Sequence, residues 1–142
     1  MIYRATTFAS VGLLFGWIGY MLSDRDIPVT ALRMEAVPNT VAPGETITFH
    51  IHLTRHRSCQ TTVNRFVYDS QNHRHVIESD ISFSSNILPL GEDDFMVPLS
   101  VPLAVPEGRT IYRTINCYIC NPTHKFFPLC DAARDIPFEV KR

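Results

Sequence analysis

The segment Thr46-Ile-Thr-Phe-His-Ile-His-Leu53 decides the fold class, because its apolar and polar residues alternate without interruption. Neighbouring side chains of an extended strand point to opposite faces of a sheet. The isoleucines, the phenylalanine and the leucine would therefore share one face, and the threonines and histidines would share the other. The turn signal Pro43-Gly44-Glu45 stands directly before the segment. We predict a half-buried β-strand with one face on a hydrophobic core.

The same pattern continues in both directions from this strand. Residues 95–103 alternate again, and residues 110–119 form a run rich in β-branched side chains after the turn Pro106-Glu107-Gly108. Weaker strands are expected at 29–36, 62–68, 75–78 and 136–140, and no window after residue 23 has a helical period. About seven short strands separated by turns predict an all-β domain built as a β-sandwich.

Three segments carry a resemblance to immunoglobulin-like or fibronectin-type β-sandwiches. They are Val-Ala-Pro-Gly-Glu-Thr-Ile-Thr-Phe at 41–49, Val-Pro-Glu-Gly-Arg-Thr-Ile-Tyr-Arg at 105–113 and Ile-Pro-Phe-Glu-Val at 136–140. The resemblance implies an immunoglobulin-like β-sandwich over residues 29–142, and it implies no particular activity. The chain departs from immunoglobulin domains in lacking their core tryptophan, since Trp17 is its only one. Its layout is also similar to that of small exported bacterial or phage-encoded proteins.

The N-terminus carries an uncharged run of about nineteen residues from Ala5 to Ser23. As a helix it would span about 28 Å, which is close to the thickness of a bilayer's hydrocarbon core. We predict a transmembrane anchor over residues 1–23 and a hinge over 24–28, with a cleaved signal peptide as the alternative. Arg4 before the run and Asp24-Arg25-Asp26 after it favour a single-pass protein with a cytoplasmic N-terminus and a periplasmic or extracellular C-terminal domain. Gly12 and Gly16 form a Gly-xxx-Gly pair that predicts helix–helix contact and a homo-oligomer.

Four cysteines, Cys59, Cys117, Cys120 and Cys130, follow the apolar run. An even number of cysteines in a small exported domain indicates two disulfides. Three pairings are possible; strand parity and closure of the 120–130 loop favour Cys59–Cys117 with Cys120–Cys130. Two other chemistries stay open. Cys117-Tyr-Ile-Cys120 has the spacing of a thiol-redox site, and the cysteines with His124 have enough ligands for zinc.

The histidines and arginines between residues 50 and 75 offer two further sites. His50 and His52 share one strand face and could chelate a metal, although a solvated face is the commoner reason for such a pair. A basic patch would attract an anionic envelope surface or an acidic protein. Its candidate residues are Arg55, Arg57, Arg65 and Arg74. The alternative is that these bases pair across the sheet with the acidic residues of segment 78–94.

The loop at 121–129 supplies the last candidates, Phe126 and Phe127, which would either contact a partner or plug the core under the loop. The net charge of −1 gives no reason to expect nucleic acid as a partner. No motif of an enzyme occurs, and no cofactor is expected. The sequence therefore predicts a non-enzymatic, membrane-anchored extracytoplasmic β-sandwich that presents a binding or assembly surface. The alternatives are an accessory subunit of a membrane or phage-virion assembly, and a thiol-redox or metal-binding domain that uses Cys117 and Cys120.

Overall fold

The computed structural model of the chain describes residues 2–77, 81–83 and 89–142, with the side chains of all these except 2–9, 76 and 81. Within these ranges it contains one α-helix, ten β-strands and a short 3₁₀ helix. The elements are α1 (Ile2–Ser23), β1 (Val29–Val37), β2 (Thr40–Val41), β3 (Thr46–Arg55), β4 (Gln60–Tyr68), β5 (Arg74–Val76), β6 (Ile81–Phe83), β7 (Gly91–Ser100), β8 (Gly108–Ile119), the 3₁₀ helix (Pro122–Lys125), β9 (Leu129–Cys130) and β10 (Arg134–Val140).

The alternation predicted for residues 46–53 is confirmed in β3. Its buried positions are Ile47, Phe49, Ile51 and Leu53, and the same period extends to Arg55. In β8 the buried residues fall on the even positions from Thr110 to Tyr118. These two strands hold the centres of two sheets, because each has a hydrogen-bonded neighbour on both sides.

The two sheets pack face to face around one hydrophobic core. The smaller sheet has the order β1-β3-β7, and the larger has the order β2-β10-β8-β4-β5, with β6 also on β4 and β9 on β8. Phe49 of the smaller sheet stacks on Tyr112 of the larger one, with ring centroids 4.0 Å apart. Phe138 meets the Phe49 ring edge-on at 6.0 Å. The core therefore joins the inner faces of β3, β8 and β10.

The predicted immunoglobulin-like sandwich of about seven strands is wrong. The larger sheet is mixed, since β2 pairs in parallel with β10 while its other described pairs are antiparallel. Strands β2, β5, β6 and β9 have only two or three residues each. Segments this short are below the length at which an alternating period can be recognised, so their pairing depends on the rest of the fold.

The predicted transmembrane anchor is also wrong, and with it the single-pass, signal-anchor arrangement and its localisation. Residues 2–23 do form a helix, but no helix among the described residues combines the length and the apolarity needed to cross a membrane. The prediction relied on the absence of charge, which is a weaker property than apolarity. Thr6, Thr7 and Ser10 carry hydroxyl groups, and the glycines at 12, 16 and 19 add no side chain.

The C-terminal end of α1 is fastened to the two-sheet domain by polar contacts. The Met21 carbonyl accepts hydrogen bonds from Asn121 Nδ2 at 3.2 Å and from Thr123 Oγ1 at 3.4 Å. The Asp24 carboxylate binds Arg57 Nη1 at 2.8 Å, and Arg57 also donates to the Asp26 carbonyl. The segment predicted as a hinge thus contacts the domain at Asp24 and Asp26.

Candidate functional site

A cavity of about 550 Å³ lies between the two sheets. This volume falls within the range of roughly 300–1,000 Å³ that is typical of small-molecule sites. The inner faces of β1, β3 and β7 form one wall, and those of β4, β8 and β10 form the other. Most of the described lining is apolar and includes Met34, Ile51, Leu53, Val63, Phe95 and Val97.

A row of polar residues crosses the larger sheet inside this cavity. Thr114 of β8 lies opposite Arg65 of β4 on one side and opposite Arg134 of β10 on the other. Because residues in register share a face, all three belong to the inner face, and all three line the cavity. Arg65 and Thr114 are only 5% and 3% exposed.

The smaller sheet places two further charged residues against the cavity. Arg55 continues the buried period of β3 and is 6% exposed, and Asp93 occupies the matching end of β7. Their nearest charged atoms, Arg55 Nη2 and Asp93 Oδ2, are 3.7 Å apart, which is longer than a hydrogen bond. Arg134 is paired outside this group, since its Nε donates to Asp131 Oδ2 at 3.0 Å.

Two of the cavity's buried polar atoms have no hydrogen-bond partner within the described part of the chain. They are Nε of Arg55 and Oγ1 of Thr114. A buried polar group without a partner costs free energy, because it has lost water without gaining a replacement. Such atoms in a cavity wall are therefore candidates for contact with a ligand.

The two tyrosines at the cavity are neutral phenols at physiological pH. Burial raises the pKa of Tyr112, against the opposing effect of the Arg65 guanidinium beside it. Burial and the nearby Asp131 carboxylate raise the pKa of Tyr118, although Arg134 and Arg55 act in the other direction. The site thus combines neutral hydroxyl groups and guanidinium groups with a mainly apolar wall. Such a lining can hold a molecule that is apolar over most of its length.

The four arginines of the predicted basic patch do not meet at the surface. Arg55 and Arg65 are buried in the cavity, whereas Arg57 binds Asp24, and Arg74 lies 5.1 Å above the centre of the Phe66 ring. Sequence reasoning missed the inward direction of Arg55 and Arg65, although each keeps the period of its strand's buried residues. The odd-numbered position that each arginine shares with its strand's buried residues could have predicted its inward direction.

Two described residues of the acidic segment pair with bases of β3, which is part of what the alternative expectation proposed. Asp93 lies near Arg55, and Asp94 Oδ1 lies 2.6 Å from His52 Nδ1 across the β3–β7 pair. Glu78 and Asp80 lie outside the described residues. Two charged pairs thus join β3 and β7.

The cysteines pair as Cys59–Cys120 and Cys117–Cys130, so the predicted pairing is wrong. The register explains the observed one. Cys117 lies directly opposite Cys130 in the β8–β9 pair. Gln60 and Ile119 form the last pair of the β4–β8 ladder, and Cys59 directly precedes Gln60 while Cys120 directly follows Ile119. The two cysteines of the Cys-x-x-Cys motif bind different partners, and no described cysteine is free.

The histidines proposed as metal ligands are apart from the cavity. His50 and His52 lie on the outer face of β3, and no group of three or more potential ligands among the described residues is arranged to hold a metal ion. His124 is the buried residue of the 3₁₀ helix. Its Nδ1 accepts a hydrogen bond from the Cys120 amide, and its Nε2 donates to the Asp24 carbonyl at 3.1 Å.

The remaining candidates are exposed. Phe126 and Phe127 follow the 3₁₀ helix and are 81% and 70% exposed, so they do not plug the core. Gly12 and Gly16 lie on α1 with no neighbouring atom within 4 Å of the position a Cβ would take.

No protein-family model matches the sequence, and no curated protein matches it. Among solved structures, the alkylpurine DNA glycosylase AlkC of Pseudomonas fluorescens, bound to DNA with an abasic site analogue, matches with a TM-score of 0.51 and 13% identity, over 81% of this chain and 31% of that chain. The sporulation control protein Spo0M of Bacillus subtilis matches with a TM-score of 0.42 and 14% identity, over 82% of this chain and 51% of that chain.

This chain thus spans about a third of the glycosylase and about half of Spo0M. The match to AlkC, together with the lack of a membrane-spanning helix among the described residues, corrects the predicted kinship with anchored immunoglobulin-like or fibronectin-type ectodomains. At 13% identity, the likeness to AlkC shows that most of this chain shares a fold with part of a larger protein, and it says nothing of a shared activity.

Proposed function

We propose that this protein is a non-enzymatic binding domain that takes up a small, mainly apolar molecule in the cavity between its two sheets. The observation that carries the proposal is the cavity itself, about 550 Å³ in volume and lined largely by apolar side chains. Preformed apolar cavities with a few polar groups are the usual form of a small-molecule site.

The frame of the cavity supports this proposal. Two disulfides, which include Cys59 and Cys117, join the end of β8 to its neighbours. Three residues of the cavity lining are close in sequence to these two cysteines: Thr61, Asn116 and Tyr118. A site held by covalent cross-links loses less conformational entropy when it binds a ligand. The two disulfides are also typical of proteins that work in an oxidising compartment outside the cytoplasm.

The experiment is a titration of the full chain with N-phenyl-1-naphthylamine, a neutral probe whose fluorescence rises in apolar surroundings. Ala31 lines the cavity, whereas its neighbour Leu32 is 53% exposed. We expect Ala31→Phe to fill the cavity and weaken probe binding by about tenfold or more, a loss of at least about 1.4 kcal/mol. The matched control Leu32→Phe adds an aromatic ring outside the cavity and should bind as the native protein does. An absence of binding by the native protein, or equal binding by both variants, would refute the proposal.

A second candidate function, self-assembly through α1, is favoured by the exposure of that helix. Among the described side chains of α1, from Ser10 to Ser23, five large apolar ones are more than half exposed: Leu13, Leu14, Phe15, Trp17 and Tyr20. Apolar surface of this extent is typical of an interface. The proposed occupant is a second copy of the chain, in line with the homo-oligomer expected from Gly12 and Gly16.

Sedimentation equilibrium of the full chain over a range of concentrations tests self-assembly. The double variant Leu13→Ser with Trp17→Ser should shift the protein towards monomer. Leu90→Ser serves as the control, because Leu90 is 62% exposed and lies outside the helix. A native protein that is monomeric at all concentrations would exclude this function.

A further inference from the structure

The two disulfides differ in their access to solvent. In the first, Cys59 is 5% exposed and belongs to the hydrophobic core, and its partner Cys120 packs against that core. In the second, Cys130 is exposed at the end of β9, and its partner Cys117 is half-buried on β8. We call these the core bridge and the exposed bridge. Because thiol–disulfide exchange requires access to a sulfur atom, the exposed bridge is the one that a reductant reaches first, from its Cys130 side.

The exposed bridge fastens a very short strand to the larger sheet. Strand β9 has two residues, of which Cys130 lies opposite Cys117 of β8. The next residue, Asp131, donates its amide hydrogen to the Asn116 carbonyl of β8 at 2.8 Å. A strand of two residues can make few hydrogen bonds with its neighbour and is weakly held by them. The covalent bridge is therefore an important part of what keeps β9 on β8.

The segment between the two bridges is the one that holds the end of α1. It runs from Cys120 of the core bridge to Cys130 of the exposed bridge and contains the 3₁₀ helix. Three of its side chains donate hydrogen bonds to the carbonyls of Met21 and Asp24: Asn121, Thr123 and His124.

Opening the exposed bridge would lengthen this segment. The next strand after β9 is β10, which begins at Arg134, so the connection from Cys120 would then extend to that residue. A longer connection has more conformations, and holding it in one of them costs more entropy. The contacts that the segment makes with α1 would therefore open more often, while the two-sheet domain and its core bridge remain in place.

We propose that the exposed bridge is a redox switch that controls how firmly α1 is attached to the domain, and that its reaction partner is a dithiol reductant. One thiolate of the reductant attacks Sγ of Cys130 and forms a mixed disulfide, and the released Cys117 thiolate takes up a proton. The second thiolate of the reductant then attacks the reductant's own sulfur in the mixed disulfide. Cys130 leaves as a thiolate and takes up the second proton, and the reductant becomes a cyclic disulfide. Two electrons pass to the protein. This inference is independent of the cavity and of any ligand in it.

The test treats the full protein with increasing concentrations of dithiothreitol and labels free thiols with iodoacetamide before peptide mapping. We expect label on the two cysteines of the exposed bridge at concentrations that leave the core bridge unlabelled. At those concentrations, amide hydrogen exchange should become faster by about fivefold or more in peptides that cover residues 21–28 and 121–130. Peptides of β1 and β3 are the internal control and should exchange as they do in the oxidised protein.

A double variant, Cys117→Ser with Cys130→Ser, supplies the open state without a reductant. It should show the faster exchange at residues 21–28 before any dithiothreitol is added, and the concentrations that open only the exposed bridge of the native protein should change it no further. Labelling of all four cysteines together, or of the core bridge first, would overturn the inference. So would a protein in which neither bridge reacts, or unchanged exchange at residues 21–28 once the exposed bridge of the native protein is open.

Discussion

Asp69 is a buried carboxylate that organises the turn between β4 and β5. Its side chain is 2% exposed, and its Oδ1 accepts hydrogen bonds from the amides of Gln71 at 2.9 Å and His73 at 2.8 Å. Its Oδ2 accepts another from His75 Nε2 at 2.9 Å. Burial raises the pKa of Asp69, but the hydrogen bond from His75 and those from the two amides outweigh it and hold the pKa below the usual 3.8.

The lowered pKa of Asp69 predicts a loss of stability in acid. A group whose pKa is lower in the folded protein contributes stability above its unfolded value and loses that contribution as the pH falls through the folded pKa. We expect Asp69→Asn to reduce the free energy of unfolding by about 1–3 kcal/mol at neutral pH, and the difference from the native protein to shrink below about pH 3.8. Urea denaturation at several pH values measures both quantities. Asp94→Asn, on an 80% exposed side chain, is the control. A difference that stays constant down to the most acid pH would contradict the mechanism.

The buried arginines Arg55 and Arg65 show how much of the candidate site the sequence pattern could predict. The period of β3 was readable from Thr46 to Leu53, and two further positions lead to Arg55. We placed Arg55 in a basic patch because bases far outnumber acids between residues 50 and 75. The cavity and its polar lining form where two sheets pack together, and the sequence of a single strand does not predict that packing. The direction of Arg55 was thus predictable, while the surroundings that tolerate it were not.

At the scale of elements, strand register determines which cysteines pair with each other. The number of bridges was predictable from four cysteines in a small domain, and the presence of two disulfides is confirmed. Their pairing was not, because it depends on how far β8 is offset against β4 and β9. Two residues of β9 suffice to place Cys130 opposite Cys117, and such a short strand leaves no readable period.

The two disulfides should contribute unequally to stability. In the chain-entropy account a bridge restricts the unfolded chain more when it closes a longer loop. Cys59–Cys120 joins residues 61 apart, and Cys117–Cys130 joins residues 13 apart. We expect the double serine variant of the first pair to lose about 4 kcal/mol and that of the second about 3 kcal/mol. Chemical denaturation of both variants, with the reduced native protein as reference, measures the order. A larger loss from the second pair would show that native packing at Cys117 and Cys130 outweighs loop entropy.

At the scale of the whole molecule, the orientation of α1 depends on a small set of polar contacts. Arg57 is central to them, because it binds the Asp24 carboxylate and the Asp26 carbonyl. The hydrogen bond from Arg57 also lowers the pKa of the Asp24 carboxyl, although burial acts in the opposite direction. The 3₁₀ helix adds Asn121, Thr123 and His124 from the other side.

We expect Arg57→Gln to release the end of α1 and leave the two-sheet domain intact. Amide hydrogen exchange followed by mass spectrometry should show faster exchange in peptides that cover residues 21–28, with peptides of β3, β4 and β8 unchanged. Loss of this partly exposed ion pair should raise local opening by about several-fold. Arg33→Gln is the control, since Arg33 pairs only locally with Glu35 in the described contacts. Unchanged exchange at residues 21–28 would show that the 3₁₀ helix alone holds α1.

The unpartnered atoms of Arg55 and Thr114 also bear on how this protein would respond to selection. Buried polar atoms without hydrogen-bond partners make the folded protein less stable than it could be. Apolar replacements at these two positions would therefore raise its thermal stability, as they do at many functional sites. A laboratory evolution experiment that rewarded heat resistance alone would accumulate such replacements and remove the polar groups proposed to contact a ligand. Positions at which thermal stability rises while probe binding falls would then mark the proposed binding site.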